Sequence, residues 1–211
     1  MITALRFGKG RSKKASLSLD DKSVLSLELE VALKEGLKVG QELSAARIEA
    51  LKKASRKQRC RDAAISFLGY RPRSEQEVRQ RLRQKGFDKD FTEAVIKDLT
   101  QQGLVNDAEF ARFWTENRQS FSPRSRYLTG LELKQKSVPK DIIKTAVSSL
   151  DDSDNAYKAA RSKIRSLKTA DYQNFRRRLG DFLKRRGFGY GIIIKTIECL
   201  WQEMQAERQE D

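Results

Sequence analysis

The 211-residue chain carries 44 Lys and Arg residues against 29 Asp and Glu residues, a formal net charge of +15. It contains no histidine and only two cysteines. The usual general base at neutral pH is therefore absent, and too few ligands remain for a structural zinc site. Apolar residues make up 38% of the chain and charged residues 35%. We therefore expect a modular, surface-rich fold in place of one compact enzyme core.

The positive charge extends along the whole chain. Residues 1–55 carry a net charge of +4, residues 56–105 +5, and residues 106–150 and 151–211 +3 each. The densest stretch, residues 161–187, holds ten basic residues against two acidic ones. A long positive surface predicts a polyanionic partner, although a merely solvated face is the alternative. Charge alone does not distinguish DNA, RNA and an acidic protein.

No segment approaches the roughly 18 consecutive apolar residues that a membrane helix requires. With only Cys60 and Cys199 available, we expect two unpaired thiols in a reducing compartment, and hence a cytoplasmic protein. We expect no metal and no cofactor.

The N-terminal 30 residues alternate apolar and polar side chains, which predicts three antiparallel strands. The strands are Ile2–Phe7 and the runs around Leu17 and Leu27, with turns at Gly8-Lys9-Gly10 and Asp20-Asp21-Lys22. From Ser44, a predicted helix N-cap, the spacing becomes helical. A very basic stretch, residues 52–61, links this module to the rest of the chain.

The strongest pattern is an internal repeat. Leu82-x-x-Lys-Gly-Phe recurs 51 residues later as Leu133-x-x-Lys-Ser-Val, and after a further 50 as Leu183-x-x-Arg-Gly-Phe. Pro72-Arg-Ser recurs 51 residues later as Pro123-Arg-Ser. The glycines suit the left-handed position that ends a helix, and the following Phe or Val can pack back on the Leu.

Each repeat predicts two helices, a turn and a third helix. We therefore expect a mainly α fold: three tandem three-helix repeats forming an elongated rod, straight or curved, with a small N-terminal antiparallel β module. The predicted segments are 1–55 for the β module with its helix, and 56–105, 106–150 and 151–211 for the three repeats.

These motifs resemble the bacterial RecX family, the regulators of the RecA recombinase. The matching stretches begin at Tyr70, Leu82, Gly103, Leu131 and Phe182, and they read YRPRSEQEV, LRQKGF, GLVNDAEFA, LELKQK and FLKRRGF. The resemblance covers roughly residues 60–201, and the order of the motifs is specific. Ser137 departs from the family pattern, since it stands where the turn has glycine.

The resemblance implies a non-enzymatic protein that binds the RecA filament on DNA. Members of this family restrain the filament's ATPase, its strand exchange and the repressor cleavage of the DNA-damage (SOS) response. We expect a monomer whose partners are the RecA filament and single- or double-stranded DNA. The predicted mechanism is electrostatic docking of a rigid basic rod.

The candidate filament- or nucleic-acid-binding residues are cations near the second helix or the turn of each repeat. They are Arg71, Arg73, Lys85, Arg124, Arg126, Lys136, Arg176, Arg177, Arg178, Lys184, Arg185 and Arg186. For each one, a solvated or internally paired side chain is the alternative. Tyr70, Trp114 and Tyr127 could stack on bases, but core packing is favoured for Trp114.

Two rival functions remain at this point. Short helices at tight turns also describe helix-turn-helix units, so a general DNA-binding protein is the alternative. A metal-dependent nuclease would need a carboxylate cluster, for which Asp151-Asp152-x-Asp154 is the candidate. Because this cluster lies at a repeat junction, we interpret it as a turn and a helix N-cap.

Overall fold

The chain begins with a three-stranded antiparallel sheet. The computed structural model describes residues 1–8, 13–20, 23–167 and 171–210. The strands, in sheet order, are β1 (Ile2–Phe7), β2 (Lys14–Leu19) and β3 (Ser23–Glu28). Ala15 pairs with Phe7 on one side and with Leu27 on the other. The predicted strands are confirmed, whereas Lys9, Gly10, Asp21 and Lys22 of the predicted turns lie outside the described residues.

One face of the sheet is covered by two helices, α1 (Leu29–Lys34) and the first half of α2 (Ala45–Leu68). Ile2, Leu17 and Leu27 pack with Val31 and Leu51 in one buried cluster. This helical cover is what allows so small a sheet to bury an apolar face. The alternation in the sequence did not predict α1.

Helix α2 links the sheet module to the first three-helix domain. The side chain of Ser44 caps it by accepting from the N–H of Arg47 (3.2 Å), as the sequence predicts. Its first half packs on the sheet through Leu51, and its second half packs in the next core through Cys60 and Ala64. The predicted linking stretch is therefore continuous helix, and the boundary expected at 55/56 falls within it. The four-segment division stays a prediction.

Eight further helices follow α2 in the described chain. They are α3 (Glu75–Gln84), α4 (Lys89–Gln101), α5 (Asp107–Phe121), α6 (Arg126–Gln135), α7 (Lys140–Ser148), α8 (Asp152–Ile164), α9 (Tyr172–Arg185) and α10 (Tyr190–Glu210). The second half of α2 packs with α3 and α4, α5 with α6 and α7, and α8 with α9 and α10. The fold class is therefore mainly helical, as predicted, with three three-helix domains after a small sheet.

The repeated turn has the predicted backbone. Gly86, Ser137 and Gly187 have φ angles of +80°, +59° and +84°. In each turn the N–H of the following residue donates to the carbonyl of the Leu five residues earlier, at 3.2, 3.2 and 3.3 Å. This bond is characteristic of the Schellman helix end, and it brings Phe87, Val138 or Phe188 back onto its own core.

The described chain forms two compact units, Met1–Arg71 with Glu77–Val105, and Pro72–Gln76 with Asn106–Asp211. In the second unit the Pro-Arg-Ser motif has a repeated function. The N–H of Glu75 donates to Asp107 (2.9 Å), and the N–H of Arg126 donates to Asp152 (2.6 Å). Each acceptor is the first residue of a later helix, so one carboxylate satisfies a free N–H at the start of another helix.

Candidate partner-binding surface

The twelve cations predicted as binding residues fall into two groups in the structure. One group is exposed, and no ion pair joins its members to a carboxylate of the described residues. We call these the outward cations: Lys85, Arg176, Arg177, Arg178, Lys184 and Arg185. The other group is half-buried or bonded within the protein. It consists of Arg71, Arg73, Arg124, Arg126, Lys136 and Arg186.

Arg71 is held by a carboxylate of its own domain. Its two terminal nitrogens donate to the two oxygens of Glu77, both at 3.1 Å. A bidentate pair of this kind fixes the plane of the guanidinium. Arg73, two residues further on, is half-buried. The bidentate pair indicates a structural contribution from Arg71.

The second domain contains a polar cluster around Glu132, whose side chain is only 11% exposed. The carboxylate accepts from Nε of Arg118 (2.7 Å), from Nε1 of Trp114 (2.8 Å) and from Arg124. Because a carboxylate has about four acceptor sites, Glu132 can satisfy all three donors at once. The cluster therefore occupies Arg124 internally.

Two cations lie close to the ring of Trp114. The guanidinium of Arg118 is 4.6 Å from its ring centroid and Nζ of Lys136 is 4.7 Å away, within the range of cation–π attraction. Its ring also packs against Phe110 at 5.7 Å. Trp114 is thus a packing residue, as the sequence favours. Tyr70 and Tyr127 are 84% and 69% exposed.

Arg126 and Arg186 connect segments that are distant in sequence. The side chain of Arg126 donates to the carbonyl of Leu150. Arg186 donates to Oγ of Ser122 (3.0 Å) and to the carbonyl of Pro123 (2.9 Å). Burial, together with nearby Arg124 and Arg118, lowers the pKa of Arg186 below its ordinary value. This arginine therefore joins the third domain to the second.

The outward cations are concentrated on α9. Phe175, Leu179 and Leu183 form the buried face of this helix, so the charged residues between them point to solvent. At about 100° per residue, Arg177 and Lys184 share one stripe and Arg178 and Arg185 share another. Five of the twelve predicted residues thus lie on one helix of one domain.

Sequence reasoning missed two members of the Glu132 cluster, Arg118 and Glu132 itself. Spacing offered a signal, because Trp114 and Arg118 are four residues apart on one helix and neighbour each other on its surface. The pairing of Glu132 with Arg118 crosses the turn between α5 and α6, so helix periodicity does not reveal it.

The acidic triplet at the start of α8 acts within the fold. Asp151 caps the helix by accepting from the N–H groups of Ser153 (2.7 Å) and Asp154 (3.3 Å). Asp152 accepts from the N–H of Arg126 (2.6 Å), and Asp154 pairs with Lys158 (2.7 Å). Among the described residues, no group of three or more Cys, Asp or Glu side chains is placed to hold a metal ion.

The two cysteines are free thiols. Cys60 is buried, and burial with the nearby charge of Asp88 raises its pKa to about 11. Cys199 is exposed and donates to Glu203 (3.3 Å), a hydrogen bond that raises its pKa as well. Both shifts disfavour the reactive thiolate at neutral pH.

Within the described chain, no helix combines the length and the apolar composition that crossing a bilayer would need.

The fold and its charged surface define a class of protein: tandem three-helix domains, one of which displays a dense row of exposed cations. Comparisons with known sequences place the chain within that class. Residues 60–99, 106–147 and 151–197 match the first, second and third three-helix domains of RecX. The chain belongs to the RecX family.

Similar sequences and solved structures agree with this family assignment. The chain is 34% identical to the regulatory protein RecX of Amycolatopsis mediterranei over 72% of its own length and 89% of the relative's. It is 29% identical to that of Clostridium botulinum Eklund 17B, over 93% and 94%. A crystal structure of regulatory protein RecX has a TM-score of 0.70 at 18% identity, over 93% of this chain and 98% of that one. The RecX structure from Lactobacillus salivarius has a TM-score of 0.59 at 23% identity, over 70% and 97%.

Proposed function

We propose that this chain is a cytoplasmic regulator that binds the RecA filament on DNA and restrains its ATPase, strand exchange and repressor cleavage. It acts by binding and not by catalysis. The observation that carries the proposal is the row of outward cations on α9 in a chain of the RecX family. Such a row suits a polyanionic, extended partner.

The outward cations contact the partner, and the other six candidates stabilise the fold of the domains. Arg71, Arg124 and Arg186 are bonded to internal acceptors, so moving them to a partner would leave buried acceptors unsatisfied. The exposed members lose mainly hydration on binding, and Arg177 also gives up a 3.3 Å hydrogen bond to Oδ1 of Asn174. The binding surface is therefore the subset Lys85, Arg176, Arg177, Arg178, Lys184 and Arg185 of the twelve candidates.

Binding at several places on a repetitive partner accounts for inhibition. Individually weak contacts from linked domains add through effective concentration. A regulator that touches neighbouring RecA subunits holds them in one arrangement and resists the movement that ATP turnover requires. A monomer suffices for this mechanism.

The test follows ATP hydrolysis by the cognate RecA on single-stranded DNA, with this protein well below the concentration of DNA sites. Strong inhibition supports the proposal. Inhibition only after the DNA itself is saturated would contradict it and favour the alternative of a general DNA-binding protein. Bare single-stranded DNA, titrated in parallel at several salt concentrations, provides the reference affinity.

The surface is tested by replacing Arg176, Arg177 and Arg178 with Ala. Each lost ionic contact reduces the slope of log affinity against log salt by about one. The control replaces three exposed cations in the middle of α2, Lys52, Lys53 and Lys57, which lie outside the candidate set; Lys52 pairs with Glu49 on the same helix. An unchanged salt slope in the α9 variant, or an equal loss in the control, would remove the triplet from the surface.

A further inference from the structure

A groove runs between α9 and α10 in the third domain. Its cavity volume is about 570 Å³, within the roughly 300–1,000 Å³ typical of ligand-binding pockets. Ile193, Ile194 and Ile197 line one side, and Gly180 lies on the other. Ile193 and Ile197 belong to the buried core, whereas Ile194 is half-exposed. The groove therefore presents an aliphatic surface to solvent.

Gly180 keeps this groove open. It stands in the interior of α9, where glycine is an unfavourable helix residue. Packing does not require it, because a Cβ there would lie 3.7 Å from Cδ1 of Ile197 and 3.9 Å from Cγ2 of Ile193, both ordinary contacts. A larger side chain would extend into the groove. The space beside Gly180 is thus open to a side chain from a partner.

The second domain has a glycine at the equivalent place, Gly130, fifty residues earlier. A Cβ on Gly130 would lie 3.5 Å from Cγ2 of Ile143 and 4.0 Å from Cγ1 of Val147. The two glycines therefore face equivalent helices. The flanking residues differ, since Arg177 of α9 corresponds to Tyr127 of α6. Gly130 is accordingly a matched control for Gly180.

Three of the outward cations form a wall of the α9–α10 groove: Arg176, Arg177 and Lys184. Asp181 is the acidic residue that lines it. No ion pair joins the three cations to a carboxylate of the described residues. An aliphatic floor beside a wall of net positive charge is complementary to an apolar side chain that is flanked by carboxylates.

We propose that the α9–α10 groove binds a protein segment of the recombinase in which an apolar side chain is flanked by acidic residues. This inference rests on the proposed function and names the chemistry of the contact. Two tyrosines also line the groove: Tyr172 packs edge-on against Trp201 at 5.2 Å, and Tyr190 is 73% exposed. The aliphatic side chains opposite Gly180 favour an apolar side chain over a flat base, which binds by stacking on aromatic rings. The apolar side chain fills the space opposite Gly180, and the carboxylates meet the cationic wall.

The test compares Gly180→Leu, Gly180→Ala and Gly130→Leu with the unmodified full-length protein. Binding is measured by fluorescence anisotropy to cognate recombinase filaments on single-stranded DNA, and separately to the same DNA alone. Gly180→Leu fills the groove and should weaken filament binding at least tenfold, while its affinity for bare DNA changes less than twofold. Gly180→Ala and Gly130→Leu should bind filaments like the unmodified protein.

The outcomes separate the two proposals. If the unmodified protein neither binds nor inhibits filaments, the proposed function fails and the inference fails with it. If it binds and Gly180→Leu binds equally well, only the groove inference is overturned. Equal losses on filament and on bare DNA would show that the groove takes nucleic acid, which also overturns it.

A second pair of variants keeps the test decisive if Gly180→Leu unfolds. Ile194, half-exposed on the groove floor, is replaced by Glu or by Lys. If the bound segment carries an apolar side chain flanked by acidic residues, Ile194→Lys should lose less filament affinity than Ile194→Glu. Both variants should bind filaments more weakly than the unmodified protein. Tighter filament binding by Ile194→Lys would contradict an apolar anchor. Circular dichroism confirms that each variant is folded.

Discussion

The turns at Gly86 and Gly187 have the same backbone and different surroundings. Their φ angles differ by only a few degrees, at +80° and +84°, and both close with the same hydrogen bond to a leucine carbonyl. A Cβ on Gly86 would meet nothing within 4 Å. A Cβ on Gly187 would lie 2.6 Å from Oγ of Ser125 and 2.8 Å from Cβ of Leu128.

The preceding cations differ in the same way. Lys85 is exposed, while Arg186 donates to Ser122 and Pro123 and its carbonyl accepts from the N–H of Ser125 (3.0 Å). One motif thus ends a helix in both domains, and in the third domain it also joins two domains. The repeated sequence therefore reflects the backbone conformation that ends the helix. The residues packed around each turn decide whether that turn is also an interface between domains.

The largest effect is expected from Gly187→Ala. The variant places an L-residue at positive φ and forces a Cβ against Ser125 and Leu128, so we expect a loss of about 3 kcal/mol or more. Urea unfolding followed by the fluorescence of Trp114 and Trp201, both in the second unit, measures it. A loss no greater than that of Gly86→Ala would refute the interface assigned to this turn.

Arg186→Ala should have the next largest effect. It leaves the Pro123 carbonyl without its side-chain donor, with an expected loss of about 1–3 kcal/mol in the free energy of unfolding. Arg186→Lys should recover only part of it, because an ammonium lacks the planar fork. Lys85→Ala is the matched control and should change stability by under about 0.5 kcal/mol. Equal losses at both positions would remove the difference between the turns.

Gly86→Ala isolates the backbone contribution. With open space around the new Cβ, only the left-handed conformation is penalised, and we expect a loss of about 1 kcal/mol. Far-ultraviolet circular dichroism during urea unfolding follows it, since both tryptophans lie in the other unit. A much larger loss would show that this turn has a packing role too.

Ser137→Gly tests the same conformation in the opposite direction. Ser137 is a non-glycine residue at φ +59°, so glycine relieves strain while increasing the entropy of the unfolded chain. The net result should be a gain of about 0.5 kcal/mol, measured by tryptophan fluorescence. Ser149→Gly, at a C-cap with φ −78°, is the control and should not stabilise. Destabilisation by Ser137→Gly would contradict the strain argument.

Most of the fold could be predicted from short-range sequence patterns. The period of two around Leu17 and Leu27 predicted the sheet, and the Leu, Gly and Phe spacing predicted the helix ends, because both patterns express contacts within a few residues or across one turn. Helix α1 was missed because Leu29, its first residue, continues the alternation of the preceding strand, and the packing of Val31 on the sheet cannot be seen in the sequence.

The sequence by itself determined most of the helices and strands, the three repeats, the family and the excess of positive charge, because each of these follows from residue spacing or composition. It did not determine which cations are available to a partner. Glu132 on α6 pairs with Arg124 in the preceding turn, and Arg186 meets Pro123 across 63 residues. Only the tertiary structure separated the outward cations from the paired ones and opened a groove beside Gly180, because ion pairing and cavities depend on which distant segments the packing brings together.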